Sequence, residues 1–161
     1  MIQLNDKQIA EFCYRSYTAV DGLWFMKVEE KYGFAAALGT DDEVWKVLPK
    51  IQARMLKSMG NVENGMEALL ECFTTKLSLD GFTFRVKRTG DDSGFRVIIE
   101  GCPWYDLMVK SGRENLSGKV GTVICNTEYS VWASEFDDNI CFELQQQICQ
   151  GSQFCILQFS G

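Results

Sequence analysis

The stretch GFTFRVK, residues 81–87, decides the fold, because the spacing of apolar residues changes there from about 3.6 to 2. Phe82, Phe84 and Val86 alternate with polar residues, which predicts a half-buried β-strand. Before this stretch the apolar residues recur at helical spacing, and after it two hairpin patterns flank a helical segment. The order helices, β-β, helices, β-β predicts an α+β fold with a four-stranded antiparallel sheet.

Two capping boxes predict where helices begin in the first half. Asn5 with Gln8, and Thr40 with Glu43, have the spacing of a capping box. In a capping box each of the two side chains accepts a hydrogen bond from the backbone amide of the other residue. The pair Asp21 and Gly22 is interpreted as a break between the first two helices. The predicted helices cover about residues 5–20, 23–32, 40–60 and 63–76, the second ending at Gly33 and the third carrying Pro49.

The second half is predicted to contain two hairpins around a long helix. Turn-forming residues at 89–94 join the first two strands, and the helix runs over about 117–136. The last hairpin is predicted to turn at residues 150–152. A three-residue loop there would place Cys149 and Cys155 on one face of the sheet, as a diagonal pair.

Length and composition indicate one globular domain, 1–161, with a helical half (1–80) and a sheet-containing half (81–161). The net charge of −6 argues against a nucleic-acid binder, which needs clustered Lys and Arg. The sequence contains no run of 18 or more apolar residues, so no segment is predicted to span a membrane. The start, MIQLNDKQ, lacks the basic and apolar regions of a signal peptide, so we expect a cytoplasmic protein. The sequence leaves a homodimer open.

The sequence contains no histidine and seven cysteines. The absence of imidazole excludes His-ligated haem, His-ligated zinc and Ser-His or Cys-His catalysis. No two cysteines are spaced C-x-x-C, so a joint site needs the fold to assemble it. Cys102, Cys149 and Cys155 lie near predicted strand ends and turns, Cys125 lies on the predicted long helix, and we expect the four to converge. They would form a soft-metal, iron–sulfur or reactive-thiol centre, and the alternative is four thiols scattered in the core.

Large aromatic residues recur on two predicted helices and beside one strand end. They predict an apolar ligand pocket, lined by Trp24, Phe25, Trp104, Tyr129 and Trp132. Glu29 is placed at the rim of this pocket, where loss of water would raise its pKa toward that of a general base. The alternative is a core helix with an exposed acidic face.

Three segments together resemble the L-2-amino-thiazoline-4-carboxylate hydrolase-like family, which includes many proteins of anaerobes. They are the helix DGLWFMKVEEKYG (21–33), the tripeptide Cys102-Pro103-Trp104 and the hairpin Cys149-x-Gly151-Ser152-x-x-Cys155. The resemblance implies hydrolysis of a C–N bond in a small cyclic amidine. Without imidazole, the candidate catalytic groups are the Cys102 thiolate and the Glu29 carboxylate.

The second half also resembles the four-vinyl-reductase-type small-molecule-binding domain. In that domain a strand pair, a helix and a last hairpin with glycine between two cysteines enclose an apolar pocket. This resemblance implies a small-molecule ligand. Three functions therefore remain open: a ligand-binding domain, a C–N hydrolase, and a protein with a thiolate-bound metal or iron–sulfur cluster.

Overall fold

The computed structural model describes residues 1–90 and 93–161, and it confirms the predicted α+β fold class. Four helices precede a four-stranded antiparallel sheet whose two hairpins flank two further helices. The helices are α1 (Asp6–Tyr32), α2 (Phe34–Trp45), α3 (Leu48–Gly60), α4 (Met66–Leu79), α5 (Pro103–Lys110) and α6 (Glu114–Ser134). The strands are β1 (Thr83–Arg88), β2 (Gly94–Gly101), β3 (Cys141–Gln146) and β4 (Cys155–Ser160), and a 3-10 turn (Ile148–Gln150) lies between β3 and β4.

The chain divides into two compact units, Met1–Asp41 and Asp42–Gly161. The helices α3 and α4 belong to the same unit as the sheet. The assignment of the whole chain to a single domain stays a prediction. No helix in the part of the chain that the structure describes is long and apolar enough to cross a membrane.

In the first unit, α1 begins at the predicted cap and is longer than predicted. The Asn5 side chain accepts a hydrogen bond from the Gln8 amide, and the Gln8 side chain accepts one from the Asn5 amide, at 2.9 and 3.0 Å. The predicted break at Asp21 and Gly22 is wrong, since α1 continues to Tyr32. A mid-helix glycine costs about 1 kcal/mol, which the rest of a long helix outweighs.

The predicted capping box at Thr40 is also wrong. Thr40 lies inside α2, where its hydroxyl donates to the Ala36 carbonyl at 2.9 Å rather than capping a new helix. The helical structure is interrupted between α2 and α3, next to Val47. Pro49 therefore falls in the first turn of α3, where its missing N–H costs nothing and no kink results.

The sheet has the strand order β1-β2-β4-β3, with every neighbouring pair antiparallel. At the first hairpin, the amide and hydroxyl of Thr89 both donate to the Gly94 carbonyl, at 3.0 and 2.9 Å. Asp91 and Asp92, in the middle of this predicted turn, lie outside the described residues.

The second hairpin differs from its prediction. The strand β3 ends at Gln146 and β4 begins at Cys155, so the connection is longer than three residues. Cys149 lies in the 3-10 turn, which ends at Gly151 with a φ of 89°. The predicted diagonal pair of Cys149 and Cys155 is therefore wrong, because only Cys155 belongs to a strand.

The core of the second unit lies between the sheet and the helices α4 and α6. Phe73 on α4 is its centre, with edge-to-face contacts to three other rings. These are Tyr129, Trp132 and Phe159, at centroid distances of 5.3, 5.7 and 5.1 Å. The strand β2 contributes Phe95, Val97 and Ile99 to this core.

Candidate functional site

Two glycines of α6 allow the 3-10 turn to pack directly on that helix. A Cβ atom at Gly121 would lie 2.6 Å from the Cys149 sulfur, and one at Gly118 would lie 3.0 Å from the Cys149 carbonyl oxygen. Contacts that short exclude a larger residue unless the turn moves. Gly118 and Gly121 are therefore the sequence feature that positions Cys149.

Two glutamine side chains hold the turn in this place. The Gln147 side-chain amide donates to the Gly121 carbonyl at 3.0 Å, and the Gln150 side-chain amide donates to the Thr122 hydroxyl at 2.6 Å. Gln147 is buried, so its hydrogen bond is shielded from water. The turn, its two clamps and the first half of α6 thus form one packed structure.

An open groove of about 630 Å³ lies beside this turn. Tyr105 and Glu114 lie in its lining and are linked, since the Tyr105 hydroxyl donates to the Glu114 carboxylate at 2.9 Å. The groove combines a carboxylate, an ammonium group, hydroxyls and a thiol. Its lining is Tyr105, Glu114, Asn115, Ser117, Gly118, Lys119, Ile148, Cys149, Gln150 and Gly151.

Two of the predicted cysteines accept backbone hydrogen bonds near this groove. The Cys102 sulfur caps α5, accepting from the Tyr105 amide at 3.5 Å. The Cys155 sulfur, at the first residue of β4, accepts from the Ile148 amide at 3.3 Å. Both thiols are thus fixed by the elements that surround the groove.

Cys102, Cys125, Cys149 and Cys155, here called the thiol cluster, lie close enough to affect one another's ionisation. Burial is the main cause that raises the pKa of the Cys125 thiol well above its usual value, followed by Glu128 and by the other three sulfurs. Burial likewise raises the pKa of Cys102 to about 12. This electrostatic coupling is compatible with the predicted convergence of the four cysteines, which stays a prediction.

Burial, rather than the start of α5, dominates the ionisation of these thiols. Backbone N–H groups of Tyr105 and Trp104 do lower the pKa of Cys102, but burial outweighs them. The pKa values of Cys149 and Cys155 are also raised, again mainly by burial. Neutral thiols are weak nucleophiles and weak metal ligands. Among residues 1–90 and 93–161, no three His, Cys, Asp or Glu side chains are arranged to hold a metal ion.

These pKa directions give a prediction on thiol reactivity. At pH 8, iodoacetamide should modify the four cluster thiols at least about tenfold more slowly than the exposed Cys13 and Cys141, because burial limits both access and thiolate formation. Peptide mapping by mass spectrometry over time measures each site. Labelling of Cys102 as fast as of Cys13 would contradict this picture.

The five residues predicted to line an aromatic pocket have different environments, and none lines the groove. Trp24 on α1 is 70% exposed, and Phe25 contacts Phe34 edge to face at 5.9 Å. Trp104 is half-buried with its ring edge-on to Trp45 at 6.0 Å. The last two, Tyr129 and Trp132, are core residues packed on Phe73.

The two candidate catalytic residues belong to different compact units. Glu29 is half-buried on α1, in the unit Met1–Asp41. Cys102 caps α5 in the other unit, with a pKa that keeps it protonated at neutral pH. Its role as a nucleophile has no support from this environment, and the role of Glu29 stays a prediction.

Sequence reasoning missed a buried cluster of three charges. The Lys76 ammonium lies 3.1 Å from an Asp80 carboxylate oxygen and forms a closer ion pair with Glu128. The same ammonium faces the rings of Phe82 and Tyr129, at 5.5 and 5.7 Å. Burial lowers the pKa of Lys76, but the two carboxylates outweigh it and raise the pKa overall. Lys76 therefore stays charged inside the protein.

Fold and site together define an α+β domain with an open groove beside the 3-10 turn. The chain belongs to the family of unknown function DUF6125, whose model matches residues 4–160. No curated protein matches the chain significantly.

Among solved structures, the chain is similar to the phenol-responsive sensory domain of the transcription activator PoxR, crystallised with phenol. The TM-score is 0.50 at 13% sequence identity, and the match covers 99% of this chain and 76% of that one. The similarity supports the assignment of the fold only, because a sequence identity this low carries no information about function. Neither the family nor this structure supports the resemblance to the thiazoline hydrolase-like family.

Proposed function

We propose that this chain is a small-molecule-binding domain and that its ligand occupies the groove beside the 3-10 turn. The observation that carries the proposal is the groove itself, built by the close packing of the turn on Gly118 and Gly121. Its volume of about 630 Å³ falls within the usual range for ligand sites. The similarity to a phenol-responsive sensory domain supports the same class of function.

The lining favours a small hydroxylated ring compound as ligand. The Glu114 carboxylate already accepts from Tyr105 and has a second oxygen that can accept from a ligand hydroxyl. The protonated Cys149 thiol and the Ile148 side chain offer a neutral, polarizable surface to the ring. Lys119 stands on the same groove and would attract the oxygen of such a ligand.

Calorimetric titration with phenol, catechol and p-cresol tests this proposal. The unmodified protein should give saturable binding with at least one of the three. Asn115→Trp fills the groove from an exposed position on α6 and should weaken binding at least about tenfold, since it occupies the ligand's volume. Lys110→Trp is the matched control, because Lys110 is exposed and does not line the groove.

Two results would overturn the proposal. One is that none of the three compounds binds saturably to the unmodified protein. The other is that Asn115→Trp and Lys110→Trp bind the ligand equally well, which would place the site elsewhere.

A thiolate-bound metal or iron–sulfur cluster at Cys102, Cys125, Cys149 and Cys155 is the second candidate. The electrostatic coupling of Cys125 to the other three thiols favours it, and metal binding would require the sulfurs to move into a ligand arrangement that the described residues do not show. Metal analysis and a UV–visible spectrum of anaerobically purified protein test it. Stoichiometric metal or a charge-transfer band supports this second candidate, and their absence removes it.

The seven free cysteines support a reducing compartment, the cytoplasm, as the location.

A further inference from the structure

The face of the sheet that points away from α4 and α6 carries two cations side by side. Lys87 on β1 is the direct partner of Arg96 on β2, so their Cβ atoms lie on one face, about 5 Å apart. Arg96 stands between the core residues Phe95 and Val97, which places its side chain on the face opposite the core. Like charges directly opposite each other destabilise a pair of strands, so an anion held between these two would stabilise it.

The protein does not offset these two charges with ion pairs. Within residues 1–90 and 93–161, neither cation forms an ion pair with a carboxylate. The neighbouring Arg85 on the same face is already paired with Glu100, at 2.9 Å. Glu143, in the same row as Arg96, lies two strands away on β3. Two adjacent positive charges are therefore available to a ligand.

A glutamine on β4 holds the guanidinium of Arg96 in place. The Arg96 Nε donates to the Gln158 side-chain oxygen at 3.0 Å. The Gln158 side-chain amide donates in turn to the carbonyls of Phe95 and Phe159, at 3.3 and 3.0 Å. The two terminal nitrogens of Arg96 have no hydrogen-bond partner in the described part of the chain. A guanidinium that is fixed in this way can bind the oxygens of an anion without a further loss of freedom.

The next position along this face of β2 has no side chain. Gly94 lies two residues before Arg96, and a Cβ atom there would lie 2.2 Å from the Phe159 carbonyl oxygen, so a larger residue does not fit. The partner of Gly94 on β4 is Ser160, which is half-buried. The Ser160 hydroxyl can donate a hydrogen bond to an anion that lies beside Arg96.

We propose that Lys87, Arg96 and Ser160 bind a small phosphate monoester on this face of the sheet. A phosphate monoester carries close to two negative charges at neutral pH, which matches the two cations. Its oxygens accept from the guanidinium, the ammonium and the hydroxyl. A carboxylate has one charge and would offset only half of the positive charge. None of the three residues lines the groove beside the 3-10 turn, so this site is separate from the proposed ligand site.

A titration with glycerol 3-phosphate, followed by amide chemical shifts in the ¹H–¹⁵N spectrum, tests this site. Ionic strength is held constant, because exposed charges are screened by salt. The Gly94 amide signal should shift saturably with glycerol 3-phosphate, and it should not shift saturably with acetate or chloride. The signals of Gly118 and Gly151, which line the groove, should stay in place.

Three variants locate the binding. Arg96→Gln should weaken it at least about tenfold, because the charged fork is lost. Lys87→Gln should weaken it as well, and this substitution leaves the hydrogen bonds around Gln158 intact. Lys110→Gln removes the same charge at an exposed position on α5 and should bind like the unmodified protein.

Three results would each overturn the phosphate site. The first is that glycerol 3-phosphate causes no saturable shift of the Gly94 amide signal. The second is that acetate or chloride causes the same saturable shift, which would indicate a general effect of anions. The third is that the Lys87→Gln and Lys110→Gln variants bind glycerol 3-phosphate equally well.

Discussion

Replacing Lys76 by alanine should lower the free energy of unfolding by about 3–5 kcal/mol, because it leaves two buried carboxylates without their counter-charge. Asp80 and Glu128 both lie in the interior, and each is paired with the Lys76 ammonium. Truncation also removes the ammonium group that faces the rings of Phe82 and Tyr129. Urea unfolding followed by circular dichroism measures the loss.

Two further variants separate charge from packing. Lys76→Met with Glu128→Leu removes both ion pairs of Lys76 and one of the two buried carboxylates while keeping the volume. It should recover part of the lost stability, because only Asp80 is then left without its counter-charge. Lys87→Ala removes an exposed lysine and should change stability by less than about 0.5 kcal/mol. A loss below about 1 kcal/mol for Lys76→Ala would contradict a buried, charged lysine.

The same cluster fixes the sign of a pH dependence. The pKa of Lys76 is raised in the folded state above its usual 10.5. Its contribution to stability is therefore complete below pH 10.5 and is lost as the pH rises through the higher folded-state value. The stability difference between the unmodified protein and Lys76→Met should shrink above pH 10.5.

Phe73→Ala should cost about 3–5 kcal/mol, the largest packing effect that we expect. Its fully buried ring contacts three aromatic rings across α6 and β4, so truncation leaves a cavity that rigid neighbours cannot fill. Leu79→Ala is the control, because Leu79 on the same helix is 68% exposed. A loss for Phe73→Ala no larger than for Leu79→Ala would show that the core is centred elsewhere.

The fold class could be read from the sequence, whereas several local boundaries could not. The change of period at residue 81 marks where the strands begin, although only Phe82 of the alternating residues is buried and Val86 on β1 is exposed. Gly22 and Thr40 carry local signals for helix ends, but both lie inside long helices whose other residues outweigh them. Local propensity is weaker than the sum of packing and hydrogen bonds around it.

The candidate site was predictable only in part. The sequence singled out Cys149, which lies against the groove, together with Cys102, Cys125 and Cys155, whose convergence stays a prediction. The residues that line the groove were not predicted. The signal for the groove is the pair Gly118 and Gly121 on α6, and this pair can be interpreted only once the 3-10 turn is known to pack on that helix. Tyr129 and Trp132 were assigned to a pocket, but large apolar side chains on an inward helix face usually form the core, as they do here.

The measurement that tests the central claim most directly is a phenol titration followed by amide chemical shifts in the ¹H–¹⁵N spectrum. Glycine amides resolve well and lie at informative places in this chain. Gly118 and Gly151 line the groove, and their signals should shift saturably with phenol. Gly60 and Gly81 do not line it, and their signals should stay in place. Saturable shifts that avoid Gly118 and Gly151, or no shifts at all, would contradict ligand binding in this groove.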